Sequence, residues 1–91
     1  MQIVDLLLEG EGNAVTRQYL EKITGLTGRE VQRAVQAERL AGKPILSGQK
    51  GFYLPATEDE KSRFVRSMRH RAAEISRAAT AVELGRRVKP L

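Results

Sequence analysis

Residues 27–54, TGREVQRAVQAERLAGKPILSGQKGFYL, decide the fold. Thr27-Gly28-Arg29-Glu30 has the form of a capping box, in which the Thr hydroxyl accepts from the N–H three residues on and the Glu carboxylate accepts from the Thr N–H. A helix therefore starts here, with Val31, Ala34 and Val35 on one side. Gly42 followed by Lys43-Pro44 closes it, because glycine suits the turn after a helix and proline cannot continue one. Ile45-Leu46-Ser47 and Phe52-Tyr53-Leu54 are short β-prone runs joined by Gly48-Gln49-Lys50-Gly51, the pattern of a hairpin.

Upstream, Thr16 is placed to cap a shorter helix carrying Tyr19, Leu20 and Ile23, which stops at Thr24-Gly25. Ala14 and Val15 leave room for a stub of strand. Ile3, Val4, Leu6, Leu7 and Leu8 fall at helical spacing and predict a first helix, ended by Gly10-Glu11-Gly12-Asn13. Downstream, Pro55 ends the hairpin, and Thr57-Glu58-Asp59-Glu60 reads as a second capping box opening a long helix to about Leu84. The expected fold is mainly α with a small β-hairpin wing. Residues 1–56 would form a winged helix-turn-helix domain, 57–84 a C-terminal dimerisation helix and 85–91 a flexible tail.

Lys and Arg number 16 against 11 Asp and Glu, a net charge of +5, so an anionic partner is expected. With no Cys and a single His70, disulfides, thiol nucleophiles and a Cys-ligated zinc site are excluded. The opening MQIVDLLLEG reads neither as a signal peptide nor as a membrane anchor, and a cytoplasmic setting in a bacterium or phage-infected cell is expected. No nucleophile–base pair, carboxylate pair or phosphate loop occurs at a telling spacing, so an enzyme, a metal and a cofactor are not expected.

Two helices joined by a short turn, the second capped, allow one helix to brace while the other enters a DNA major groove. On the helix from Thr27, Arg29, Gln32, Arg33, Gln36 and Arg39 are expected on the side opposite Val31, Ala34 and Val35. Arg donates two hydrogen bonds to guanine, and Gln both donates to and accepts from adenine. Arg29, Gln32, Arg33 and Gln36 are therefore the expected base contacts. Thr27, Arg39, Lys43, Ser47, Gln49 and Lys50 are the expected phosphate contacts. A solvated helix face has the same composition, so the readout is an expectation.

The segment LTGREVQRAVQAERLAGKPILSGQKGFYL resembles the recognition helix and wing of winged helix-turn-helix regulators of the biotin-repressor type. The features shared are the capped helix at Thr27, the Gly42-Lys43-Pro44-Ile45 exit and the Lys50-Gly51-Phe52-Tyr53 return strand. The Arg-rich RFVRSMRHRAAEI resembles the extension of short winged-helix proteins of bacteriophages and mobile elements in Gram-positive bacteria. The resemblance implies a DNA-binding regulator. No ligase or ligand domain is expected, so the resemblance implies no small-molecule effector.

In the last helix Val65, Met68, Ala72, Ile75, Ala79 and Val82 alternate at spacings of three and four, a heptad seam with Val65, Ala72 and Ala79 at a and the others at d. At about 1.5 Å per residue this helix is about 40 Å long, too long for the preceding domain to cover. A homodimer through this seam is expected. The alternative is that Phe64, Val65 and Met68 pack on the domain and the rest is solvated. An antiparallel pair would set Arg69 against Glu83, whereas a parallel one pairs neither favourably. Two functions from different classes fit: a sequence-specific regulator of double-stranded DNA, or a protein-interaction module or inhibitor on the same scaffold.

Overall fold

Thr27 caps its helix as the spacing predicts: its Oγ1 accepts from the Glu30 N–H at 3.2 Å, and Glu30 Oε1 accepts from the Thr27 N–H at 2.9 Å. In the computed structural model, which describes residues 1–85, this helix is α2, Gly28–Leu40. The preceding α1, Arg17–Thr24, is capped in the same way by Thr16, whose Oγ1 accepts from the Tyr19 N–H. It ends at Gly25, which takes the left-handed conformation with φ 76° that a side chain would oppose. Only Gly25, Leu26 and Thr27 separate the two helices.

The hairpin consists of β1, Leu46–Gly48, and β2, Gly51–Tyr53, antiparallel, with Leu46 opposite Tyr53 and Gly48 opposite Gly51. Gln49 and Lys50 form its tip. The expected stub of strand is a single residue: Val15 exchanges both backbone hydrogen bonds with Phe52, at 2.9 and 2.8 Å. Gly51 makes that approach possible. Its φ is 124°, and a Cβ there would lie 2.1 Å from the Val15 carbonyl oxygen.

Leu20, Val31, Val35 and Ile45 are almost fully buried and, with Ile3, Leu7 and Phe52, form the core. Burying each such side chain stabilises the fold by about 1.5–3 kcal/mol. Tyr19 and Ile23 do not join it; both are about half exposed, so α1 contributes through Leu20. The aromatic residues of β2 are both buried, since α3 packs on β1 where Leu46 faces Tyr53.

The predicted first helix is corrected to a single 3-10 turn, Ile3–Leu6, with a second short turn at Glu11–Asn13. Two tertiary demands override the helical spacing. Leu54 donates to the Leu8 carbonyl and accepts from the Gly10 N–H, both at 2.8 Å, which pairs Glu9 with Leu54 in an isolated bridge beside the hairpin. At the other end the buried Glu38 accepts from the Ile3 and Val4 N–H groups at 2.7 and 2.8 Å. The carboxylate of α2 thus caps the turn, and charge-assisted bonds of this kind offset its burial.

α3, Glu58–Leu84, starts at Thr57, whose Oγ1 accepts from the Glu60 N–H. The expected capping box is only half formed. Glu60 Oε1 accepts from Ala56 rather than from Thr57. Phe64 is half-buried against the domain, Met68, Arg71 and Ile75 share an open groove with Arg39 and Ser47, and every residue of α3 beyond Phe64 is exposed. The radius of gyration is 17.2 Å, against about 12 Å for a compact chain of this length. The expected tail at 85–91 lies, beyond Gly85, outside the described residues.

Candidate nucleic-acid interface

Around α2, at about 100° per residue, Val31 and Val35 turn inward and Arg29, Gln32, Arg33 and Gln36 turn out. All four are exposed, and among the described residues none makes a side-chain hydrogen bond or ion pair within α2 or to the rest of the chain. Glu30 is the acidic neighbour, and its carboxylate is held by Thr27. That backbone bond, followed by the Thr27 hydroxyl bond and the nearby Arg33 charge, keeps its pKa below the usual glutamate value. The two arginines and two glutamines form a continuous solvent-facing strip.

Arg39 does not belong to the strip. It is half-buried, its Nε donating to the Ile45 carbonyl at 2.7 Å and its Nη2 to Ser47 Oγ at 3.2 Å, while its guanidinium lies over the Phe64 ring at 5.3 Å from the centroid. Burial, with the Arg71 charge beside it, lowers its pKa. The side chain is a strut between α2, the hairpin and α3. The expectation of an open phosphate contact is corrected on this point. Ser47, its partner, is half-buried as well. Arg39 sits at the edge of the apolar arc rather than opposite it, which is why the hairpin reaches it.

Gln49 and Lys50 at the hairpin tip are exposed, as is Lys43 after α2. Thr27 is exposed, although its hydroxyl already accepts from Glu30. A cleft lies between hairpin and helices, lined by Gln32 of α2, Gln49 and Lys50 of the tip, and Thr16, Arg17 and Gln18 of α1. The sequence reading missed Arg17 and Gln18. Their signal was the cap at Thr16, since the first turn of a helix offers unpaired N–H groups to an anion. Arg17 also pairs with Glu21 at 3.3 Å, in an exposed i,i+4 contact that contributes little.

Of the expected seam on α3, every member is exposed, from Val65 at 37% to Val82 at 80%. They lie along one side of the helix, and toward its start that side adjoins the domain, where Met68, Ala72 and Ile75 share an open groove with Arg39 and Ser47. Among the described residues no group of three or more His, Cys, Asp or Glu is placed to hold a metal ion, and no helix is long and apolar enough to cross a membrane. Comparisons with protein-family models, with curated proteins and with solved structures gave no match for this chain.

Proposed function

We propose that this chain is a winged helix-turn-helix protein that binds double-stranded DNA sequence-specifically, as a dimeric transcriptional regulator of a bacterium or bacteriophage. The observation that carries this reading is the strip on α2: Arg29, Gln32, Arg33 and Gln36, exposed, unengaged and rooted on a buried face. In a major groove, the arginines donate to guanine O6 and N7 and the glutamines pair with adenine N6 and N7, each good bidentate contact discriminating by about 1–3 kcal/mol. Lys50 and Gln49 on one side and Arg17 with the first turn of α1 on the other take the flanking phosphates. Lys43 adds a further backbone contact. No cofactor or small-molecule effector enters this mechanism.

Duplex binding measured by fluorescence anisotropy across a salt series tests the reading. The wild-type protein should bind at low salt and weaken steeply as salt rises. Arg29→Ala with Arg33→Ala should abolish binding at low salt, whereas Lys50→Ala should reduce the salt slope by about one. Unchanged affinity in the double variant would remove α2 from the interface.

The protein-interaction reading rests on another surface. Met1 and Ile23 are exposed beside Leu26 and Ala34, an apolar patch away from the strip. It predicts no preference for any duplex over random DNA.

A further inference from the structure

The seam on α3 is not merely apolar; it is complementary to itself when reversed. We propose that α3 pairs antiparallel with α3 of a second copy, in the register that sets Val65 against the partner's Val82, Met68 against the partner's Ala79 and Ala72 against the partner's Ile75. Every seam residue then has a counterpart, and each large side chain of the inner layers meets an alanine. Helix axes run at constant separation only where successive layers have similar volume, so this register gives an even interface. A parallel pair stacks Ala72 on the partner's Ala72 but Ile75 on the partner's Ile75. Its layers alternate between thin and thick.

Charge favours the same arrangement. Helical side chains lean toward their own N-terminus, so in an antiparallel pair Arg69 and the partner's Glu83, offset by about 7–8 Å along the axis, lean toward each other. Two such pairs form by symmetry. Arg71 faces the partner's Ala78, so no like charges meet at the flanks. Every seam residue is exposed, between two open grooves: one is lined by Lys61, Val65, Arg66 and Arg69, and the other by Met68, Arg71, Ala72 and Ile75 together with Arg39 and Ser47 of the domain, so the partner helix would lie beside the domain at this end of the seam. His70, Glu74 and Arg77 pair among themselves elsewhere on the helix.

In this register the two Phe64 anchors lie about 29 Å apart along the pair. That is close to the ~34 Å between successive major-groove faces of a duplex. The match in spacing rests on the DNA-binding reading; the pairing itself does not.

The chain contains no cysteine, which makes the test direct. Met68→Cys and Ala79→Cys are made as separate variants, one carrying a mass tag, then mixed without DNA and oxidised mildly. A mixed disulfide, with little same-variant product, is expected, because like positions sit roughly 16 Å apart in the antiparallel pair. Val65→Cys mixed with Val82→Cys should behave alike, which guards against one variant misfolding. Same-variant disulfides would indicate a parallel pair and overturn the proposal. Absence of any disulfide in both mixtures, with helical circular dichroism intact, would indicate a monomer or a different occupant and overturn it equally. Failure of DNA binding alongside the mixed disulfide would count against the proposed function alone.

Discussion

Residues 3–54 contain every buried side chain among the described residues, whereas the 27 residues of α3 contain none. The first region is held by long-range contacts: Val15 to Phe52, Glu38 to Ile3, Leu54 to Leu8. The second is held by neighbours on the same helix, such as Lys61 with Glu58 and Arg63 with Asp59. Exposed pairs of that kind contribute about 0.2–0.5 kcal/mol each. One region therefore stabilises itself, while the far half of the other has a face that its own chain does not cover. The strip proposed to read bases is built on the self-stabilised region, and the seam proposed to pair on the open one.

The largest expected effect comes from Gly51→Ala. Its Cβ would collide with the Val15 carbonyl at a φ that opposes any side chain, so loss of about 3 kcal/mol or more is expected in denaturant melts. The helical signal of α3 should largely outlast the tertiary signal. Glu38→Ala comes next. It leaves the Ile3 and Val4 N–H groups without their acceptor and should cost about 2–3 kcal/mol.

Thr27→Ala removes the cap of α2 and should cost about 1 kcal/mol by thermal melting. Glu30 gives a smaller, pH-dependent effect. Its pKa is lowered in the folded state, so its contribution is complete above the ordinary glutamate range and fades as pH falls through the lowered value. A Glu30→Gln variant should show a flatter acid limb. Smallest for the core is Ile75→Glu, which should leave its melting within about 0.5 kcal/mol at low concentration. The same change should convert a sedimenting dimer to a monomer; a wild-type monomer would remove the seam from the account.

Much of this contrast was legible in the sequence, because its signals are local. Thr16, Thr27 and Thr57 mark helix starts, and Gly25, Gly42 and Gly51 mark turns that need positive φ. What escaped depended on distant partners. Ile3 to Leu8 has helical spacing, but Leu54 and Glu38 take its backbone groups from across the fold. Glu38 left one trace, since by helical angle it falls between Val31 and Ala34 on the inward face. Arg39 gave none, because Ile45 and Phe64 reach it only through the hairpin and α3. Of the expected contacts, the four on the α2 strip and those at the hairpin tip lie open as anticipated.

Selection of bound duplexes from a random pool tests the central claim, that the α2 strip reads base edges, most directly. The account predicts enrichment of one motif in two inverted halves, with Gln32→Ala or Arg33→Ala relaxing the preference at defined positions within each half. A bound pool as random as the input, or a motif unchanged by both substitutions, would contradict it.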